Sequence, residues 1–382
     1  MKIAVPKERR AGEARVAASP DTVKKYVGMG FDVVVESGAG DGAAVPDAAF
    51  VAAGAQIAPD ARSALADADI VLKVARPLSG SEGNDELAML KPGAILIGYL
   101  AALQNRDQVV AYAKAGIVAF AMELLPRISR AQNMDILSSQ SNLAGYKAVL
   151  DAAAHYGRAM PMMMTAAGTV APAKVLVLGA GVAGLQAIAT AKRLGAIVSA
   201  FDVRPAVKEQ VESLGAKFVE VDPEATKSAE TAGGYAKEMS ADYQKKQADK
   251  IHETLKKTDI AISTALIPGK PAPVLITEEM VKDMRPGSVI VDLAVEAGGN
   301  CPLSERGKVV TKYGVTLVGY DNMPSRLAAD TSALYAKNLL NFLTLSYDKD
   351  AKGLKINWDD EIIKGTALTR DGQVIHPGFG IG

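Results

Sequence analysis

The sequence is poor in the residues that build disulfides and metal sites, with one cysteine and three histidines among 382 residues. The single thiol, Cys301, excludes an internal disulfide and is typical of a reducing compartment. It follows two glycines and an asparagine, which favours a packed small side chain over a nucleophile. The histidines, His155, His252 and His376, lie far apart in the sequence and argue against a metal site.

An excess of charge of one sign is also missing, since 43 basic residues balance 43 acidic ones. A neutral chain gives no electrostatic reason to expect a nucleic acid or an anionic surface as its partner. No stretch approaches the roughly 20 apolar residues that a membrane-spanning helix needs. Residues 1–10 lack the apolar core of a signal peptide and predict a first strand instead.

Hydrophobic residues make up 49% of the chain, and its length suggests two or three globular domains. From residue 1 to about residue 125, strand and helix signals alternate, which predicts a parallel sheet covered on both faces. The strand-like runs of this half are 2–6, 31–36, 70–74, 94–99 and 117–122. No three-glycine motif occurs here, so this half is predicted to be an α/β domain without a dinucleotide of its own.

The most informative stretch of the sequence runs from residue 173 to residue 204. An apolar run at 175–178 leads into Gly179, Gly181 and Gly184, and an alanine-rich helical segment and a second apolar run follow. This strand–turn–helix–strand order is the context that a dinucleotide-binding motif requires. Gly179 permits the tight turn, Gly181 lets the backbone approach a pyrophosphate, and Gly184 lets helix and strand pack closely.

The second apolar run of this stretch ends at Asp202, where an acidic residue accepts a hydrogen bond from a ribose 2′-hydroxyl. A carboxylate repels a 2′-phosphate, so the sequence predicts NAD(H) rather than NADP(H) as the ligand. Arg204 leaves two interpretations open, because an arginine at this position can pair with a 2′-phosphate or stack on the adenine.

Polar side chains also crowd residues 127–142, at the start of a helical pattern that continues to residue 155. A capped helix start with solvated charges and a functional loop are both consistent with this pattern. A second long apolar helix is predicted at 326–343 and is expected to return to the first domain. In the tail, Asp371 and Gly372 predict a hairpin turn.

Further strand-like runs at 259–264, 288–293 and 315–319 give the second sheet five or six strands. The predicted fold class is therefore α/β, with two doubly wound parallel-sheet domains joined by two long helices around a cleft. The first domain is predicted to contain residues 1–137 and 326–382. The second, residues 138–325, is predicted to be a Rossmann domain that binds NAD(H).

Two other segments have two interpretations each. A polar insertion between residues 222 and 257, with Gly233, Gly234 and Tyr235 at its tip, is too long for an ordinary connection. It predicts either a mobile lid or partner-binding flap, or a rigid helical hairpin. The methionine-rich run at 160–164 favours gap-filling core over a contact surface.

Four segments together resemble one family. They are RISRAQNMDILSSQSNLAGY at 127–146, GAGVAG at 179–184, GGYAKEM at 233–239 and TALIPGKPAP at 264–273. Over nearly its whole length, the chain resembles the NAD(H)-binding component of proton-translocating nicotinamide nucleotide transhydrogenase.

The resemblance implies direct, Si-side-specific hydride transfer between NADH on this chain and NADP(H) on a separate NADP-binding component. It also implies coupling to proton movement through a membrane component, with this chain on the cytoplasmic face of the cell membrane through its partner subunits. A two-domain NAD protein of this kind is expected to form a two-fold homodimer.

The resemblance also implies roles for individual residues. By matching position, Arg127, Gln132 and Asp135 belong to a polar loop that orients the two nicotinamides, and Gln132 reaches the partner's nucleotide. Ser138 resembles the residue that holds the nicotinamide carboxamide, so these four are the predicted catalytic residues. Motif and resemblance together predict the following nucleotide-binding residues: Arg127, Gln132, Ser138, Gly179, Gly181, Val182, Gly184, Asp202, Val203, Arg204, Gly234, Tyr235, Gln247 and Leu266.

The alternative is a soluble amino-acid dehydrogenase similar to alanine dehydrogenase. Arg15 and Lys73 match the substrate-binding residues of that family. Its catalytic histidine is replaced by Ala101 and an aspartate of its site by Glu296, so a 2-oxo acid lacks a proton donor. A nucleotide-sensing module is a third class, but it has no use for the polar loop at 127–138.

Overall fold

The computed structural model describes residues 1–221, 240–267 and 269–379. The chain divides into two compact units, Met1–Gln140 with Pro324–Gly382, and Ser141–Met323. The first boundary falls inside the long helix Ile136–His155, and the second falls in the 3-10 segment Met323–Leu327.

The elements of the described residues are numbered in chain order. The helices are α1 (Pro20–Gly28), α2 (Asp47–Ala52), α3 (Ala61–Leu65), α4 (Arg106–Lys114), α5 (Ile136–His155), α6 (Val182–Arg193), α7 (Val207–Ser213), α8 (Ala241–Leu255), α9 (Glu278–Lys282), α10 (Ala328–Thr344) and α11 (Glu361–Thr366). The strands of the first unit's large sheet are β1 (Lys2–Val5), β2 (Asp32–Glu36), β3 (Gln56–Ala58), β4 (Ile70–Ala75), β5 (Ile95–Tyr99) and β6 (Val118–Ala121). The remaining strands are β7 (Met163–Thr165), β8 (Gly168–Val170), β9 (Lys174–Leu178), β10 (Ile197–Phe201), β11 (Lys217–Phe218), β12 (Ile260–Ser263), β13 (Val289–Asp292), β14 (Val309–Lys312), β15 (Val315–Val318), β16 (Tyr347–Asp348), β17 (Gly353–Leu354), β18 (Thr369–Arg370) and β19 (Gln373–Val374).

In the first unit, β1 to β6 form a six-stranded parallel sheet in the order β3-β2-β1-β4-β5-β6. The chain therefore builds outward from β1 to one edge and then from β4 to the other edge, as in doubly wound folds. Five of these strands match the predicted runs. The prediction missed β3, because three residues carry too little periodic signal.

The tail residues complete the core of the first unit. α10 contributes Tyr335, Leu339 and Phe342 to the same buried cluster as β1, β2 and β4, and Phe342 packs edge-on to Phe120 at 5.4 Å between ring centroids. Near the end of the chain, β18 and β19 form the antiparallel hairpin that the turn residues predict. Its turn places Asp371 and Gly372 at positive φ, a conformation that favours asparagine, aspartate and glycine.

In the second unit, the described residues form a sheet in the order β11-β10-β9-β12-β13-β15-β14, so its seven strands exceed the predicted five or six. The first six positions follow the 3-2-1-4-5-6 order of dinucleotide-binding domains. β14 is an antiparallel edge strand on β15 and was missed because its side chains are partly exposed. β11 was missed because it has two residues.

The methionine-rich run does not form core, so that prediction was wrong for most of its residues. Met160 is buried, but Met162, Met163 and Met164 are 60%, 45% and 78% exposed. The reason is local, because the run enters a short antiparallel hairpin in which Met163 pairs with Val170. Among the helices that the structure describes, none is long and apolar enough to cross a membrane.

Candidate nucleotide-binding site

The glycine motif forms the turn between β9 and α6. Gly179 has φ +94°, a left-handed conformation that glycine adopts without strain. A Cβ atom on Gly184 would lie 1.8 Å from the carbonyl oxygen of Gly179, so only hydrogen fits there. By contrast, the position of a Cβ on Gly181 is open, with the Arg204 guanidinium 3.9 Å away as the nearest group outside its chain neighbours.

Gly181 is also the N-cap of α6, and no side chain among the described residues caps this end of the helix. The first amides of a helix point outward along its axis and carry a partial positive charge. The open surface at Gly181 and these amides together form the kind of site that binds a pyrophosphate.

Asp202 lies directly after β10 and is 7% exposed. Its Oδ2 accepts hydrogen bonds from the Ala180 amide and from the Arg204 guanidinium, each at 2.7 Å. Its Oδ1 accepts from the Arg204 amide and from Arg204 Nε, each at 2.9 Å. All four acceptor positions of the carboxylate are therefore used within the chain.

This geometry bears on the two interpretations of Arg204. The guanidinium forms an ion pair with Asp202 instead of standing free for a 2′-phosphate or an adenine. A ribose hydroxyl that binds Asp202 has to displace at least one of these arginine contacts. Beside this pair lies a shallow open pocket, lined by residues that include Val203, Phe218 and Tyr243.

The remaining predicted contacts of the second unit are spread over several elements. Val182 is 41% exposed in the first turn of α6, and Leu266 is 50% exposed in the segment that follows β12. Gln247 is half-buried in α8, which forms the described end of the polar insertion. Gly234 and Tyr235, with the rest of residues 222–239, lie outside the described residues.

The polar loop predicted to position the nicotinamides lies in the first unit. Gln132 is exposed in the 3-10 segment Ser129–Met134, and Arg127 is exposed just before it. Asp135 precedes α5 and accepts hydrogen bonds from the Ser138 amide at 3.0 Å and from the Ser138 hydroxyl at 2.5 Å. Asp135 therefore caps α5, as the simpler interpretation of this segment expects, and it also fixes the Ser138 side chain.

The two cations matched to the dehydrogenase substrate site are both paired with carboxylates of the chain itself. Lys73, 2% exposed, lies 3.2 Å from Glu8 and 2.9 Å from Glu86. Arg15 makes a two-pronged pair with Glu13, at 2.7 and 2.8 Å. Burial raises the pKa of the Glu8 carboxyl above its ordinary value, even though Lys73 acts in the opposite direction.

Comparison with known proteins places the chain in a family. Residues 4–144 match the model described as alanine dehydrogenase/PNT, N-terminal domain, and residues 148–377 match the C-terminal domain of the same family. A Rhodospirillum rubrum protein, named as the first part of NAD(P) transhydrogenase subunit alpha, is 67% identical over 377 residues, 99% of this chain and 98% of that protein. The chain belongs to the NAD(P) transhydrogenase alpha-subunit family.

Two more comparisons refine this membership of the alpha-subunit family. A crystal structure of transhydrogenase from Sinorhizobium meliloti matches with a TM-score of 0.88 and 51% identity, over 98% of this chain and 100% of that one. An alanine dehydrogenase from Halomonas elongata is more distant, at 30% identity over 98% of this chain and 95% of that protein. The resemblance inferred from the four sequence segments is thereby confirmed, and membership of the alpha-subunit family implies binding of a nicotinamide nucleotide.

Three residues that shape the site were missed in the sequence analysis. The Thr264 hydroxyl donates to the Gly179 carbonyl at 2.9 Å and so ties the glycine turn to the end of β12. The side chains of Asp292 and Asn300 are both fully buried and form hydrogen bonds with the backbone of the segments after β12 and β13. The glycine pair before Asn300 was visible in the sequence. The hydrogen-bond partners of the Asn300 side chain were not, because they lie up to 37 residues away along the chain.

Proposed function

We propose that this chain is the NAD(H)-binding component of an Si-side-specific, proton-translocating NAD(P) transhydrogenase. It transfers hydride directly between its own NADH and NADP⁺ on a separate NADP-binding component, coupled to proton movement through a membrane component. The observation that carries the proposal is the glycine turn of the second unit, with its open Gly181 surface beside the buried Asp202. In the assembled enzyme, we place the chain as a homodimer on the cytoplasmic face of the membrane.

The second unit supplies the nucleotide contacts in this proposal. Gly179, Gly181 and Gly184 with Val182 receive the pyrophosphate at the start of α6, and Asp202 receives the adenosine ribose with its neighbours Val203 and Arg204. Further contacts are proposed for Leu266, Gln247, Gly234 and Tyr235.

The chemistry explains why two of the four proposed positioning groups, those of Gln132 and Ser138, are neither acids nor bases. Hydride transfer between two nicotinamides needs no proton on the reacting atoms, so the protein contributes orientation and exclusion of water. Ser138, held by Asp135, is suited to bind a carboxamide in a fixed direction. Gln132, exposed in its loop, is suited to contact a nucleotide presented by the partner.

The amino-acid dehydrogenase alternative is disfavoured by the first unit. A 2-oxo acid needs an available cation for its carboxylate and a proton donor for its oxo group. Glu8 and Glu86 already neutralise Lys73, and Glu13 neutralises Arg15.

The proposal is tested by measuring hydride transfer from NADH to an NADP⁺ analogue, with and without the NADP-binding component. Transfer is expected only when both proteins are present. The same purified chain is then offered pyruvate, ammonium and NADH. Oxidation of NADH in that mixture, together with no transfer in the first, would replace the proposal with the dehydrogenase function.

Gln132→Asn tests the positioning role within the same assay. The substitution keeps the amide but shortens its reach by one methylene, and misplacement of about 1 Å costs on the order of a hundredfold in rate when catalysis depends on alignment. Single-turnover hydride transfer is expected to fall by about that factor, while NADH affinity changes by less than about tenfold.

The matched control is Gln373→Asn, the same chemical change at an exposed residue of the tail hairpin β18–β19. It should leave both measurements at the wild-type value. A wild-type transfer rate in Gln132→Asn, or an equal loss of NADH binding, would remove Gln132 from the proposed role.

A further inference from the structure

Two segments at the carboxyl ends of β12 and β13 are joined by one buried side chain, that of Asn300. The first segment follows β12 and consists of the described residues 264–267 and 269–273, and the second follows β13 and runs from residue 293 to residue 301. Asn300 has no exposed surface, although both segments reach the surface elsewhere, as Leu266 shows with 50% exposure.

The Asn300 amide holds both ends of the first segment. Its Nδ2 donates to the carbonyl oxygens of Ala265 at 2.9 Å and Pro273 at 2.8 Å. Its Oδ1 accepts from the Ser263 hydroxyl at 2.6 Å and from the Ala265 amide at 3.2 Å. Both donors and the acceptor are therefore satisfied, and a buried amide satisfied in this way specifies one local conformation.

Asn300 is itself held in place by Asp292, the last residue of β13. Asp292 Oδ1 accepts a hydrogen bond from the backbone N–H of Asn300 at 3.1 Å, and Oδ2 accepts one from the backbone N–H of Cys301 at 3.0 Å. The chain reaches this position through Gly298 and Gly299, which have φ of +99° and +81°. A Cβ on Gly299 would lie 2.8 Å from Asp292 Oδ2, so the sharp return to Asp292 requires glycine there.

The strand order indicates which half of a bound dinucleotide lies next to the segment that Asn300 holds. In a sheet of order 3-2-1-4-5-6, one half binds each mononucleotide, and Asp202 after β10 marks the half of β9, β10 and β11 as the adenosine side. β12 opens the other half, so the first segment lies on the nicotinamide side. Thr264 joins this segment to the glycine turn through the Gly179 carbonyl.

We propose that Asn300 is a positioning residue for the nicotinamide half of the bound nucleotide. It acts through the first segment, which it holds at Ala265 and Pro273, and thereby sets the position of Leu266. This inference rests on the proposed function, because it presupposes that the second unit binds NAD(H).

Asn300→Asp tests the inference with little change in shape. The new carboxyl group keeps an acceptor for Ser263 and the Ala265 amide, but it donates to neither the Ala265 nor the Pro273 carbonyl when ionised and to at most one of them when protonated. NADH affinity, measured by nucleotide fluorescence on the full chain, is expected to fall at least tenfold, about 1.4 kcal/mol. Affinity for AMP, which occupies only the adenosine half, is expected to stay within about twofold of wild type.

A second pair of variants covers the case in which Asn300→Asp does not fold. Ser263→Ala removes only the 2.6 Å hydrogen bond to Asn300 Oδ1 and is expected to weaken NADH severalfold with AMP unchanged. Its matched control, Ser288→Ala, removes a buried hydroxyl that donates to the Thr258 carbonyl at the opposite end of β13, and should leave both ligands unaffected.

The outcomes separate this inference from the proposed function. If the wild-type chain is folded and binds no NADH, the proposed function fails before any variant is compared. If the wild type binds NADH and Asn300→Asp binds it equally well, the positioning role alone is overturned. It is also overturned if NADH and AMP affinities fall together, because Asn300 then supports the unit as a whole.

Discussion

Gly181 and Gly184 separate what the glycine turn does for the fold from what it does for the ligand. A Cβ on Gly181 would have its nearest contact at 3.9 Å, with the Arg204 guanidinium. The backbone of Gly181 has φ −75°, a value that any residue adopts. A Cβ on Gly184 would lie 1.8 Å from the Gly179 carbonyl oxygen and 2.9 Å from its carbon. We therefore expect Gly181→Ala to fold normally and Gly184→Ala to fold poorly.

The magnitudes follow from these distances. Alanine at 181 removes freedom from the unfolded chain without strain, so the stability of the unit should stay within about 1 kcal/mol of wild type. The same methyl group stands where the pyrophosphate has to approach the backbone, and NADH affinity should fall at least tenfold, about 1.4 kcal/mol. At 184 the new methyl group would clash with the backbone of Gly179, which cannot move aside as a flexible side chain can. The loss in the free energy of unfolding should therefore exceed the roughly 1–3 kcal/mol that is typical of overpacking.

The assay combines a thermal melt with an NADH fluorescence titration on the full chain. Gly157→Ala is the control, because a Cβ at Gly157 meets nothing within 4 Å and this glycine lies outside the turn. It should match the wild type in both measurements. Wild-type NADH affinity in Gly181→Ala would show that the pyrophosphate does not contact this turn and would refute the proposed site.

Two further predictions concern charge. The wild-type chain should bind NADH at least about 30-fold more tightly than NADPH, a difference of about 2 kcal/mol, because the 2′-phosphate of NADPH would be repelled by the Asp202 carboxylate. Asp202→Asn should reduce this preference at least tenfold. Equal affinities of the wild type for NADH and NADPH, measured by calorimetry, would contradict the assignment. Arg76 and Arg10 hold the pKa of the Glu82 carboxyl well below its usual range, so its stabilising contribution is present above about pH 4.5 and is lost as the pH falls further. Thermal melts should therefore show that the wild type loses about 1 kcal/mol more stability than Glu82→Gln between pH 6 and pH 3, and parallel pH profiles would exclude this ion cluster as the cause.

The central strands could be predicted from the sequence because burial on both faces requires continuous apolar runs. Ile70–Ala75 and Val289–Asp292 are of this kind, and both were found within a residue or two of their observed ends. The strands that were missed lie at sheet edges, where Gln56–Ala58 and Lys217–Phe218 are too short and Val309–Lys312 is half exposed. An edge strand forms because its neighbour offers hydrogen bonds, and a single sequence does not reveal that neighbour.

The candidate site shows the same division between local and long-range information. The glycine turn was predictable because the reasons for all three glycines are contained within six residues of chain. The ion pair between Arg204 and Asp202 was not predicted, although the residues are two apart, because the expectation considered only ligand partners for the arginine. The role of Asn300 depends on contacts with Ala265 and Pro273, which become neighbours only when β12 and β13 pair.

The two units share one topological feature, but different chemical groups lie beside it. Each sheet reverses its strand order once, between β1 and β4 in the first unit and between β9 and β12 in the second, and such a reversal is where doubly wound folds bind ligands. In the first unit Lys73 lies in β4 beside this point, buried and already paired with Glu8 and Glu86. Binding a small anion at Lys73 would therefore first require breaking a buried ion cluster.

In the second unit, the corresponding point is formed by the backbone of the glycine turn, and the Asp202–Arg204 ion pair lies beside it. Gly181 leaves an open surface at the start of α6, and Thr264 fixes the adjacent end of β12 to the glycine turn. Backbone amides do not titrate and need no counter-ion, so a pyrophosphate can bind at the start of α6 without first separating an amide from a paired charge. That difference is the physical reason for assigning the nucleotide to the second unit, even though both sheets present the topology that could hold one.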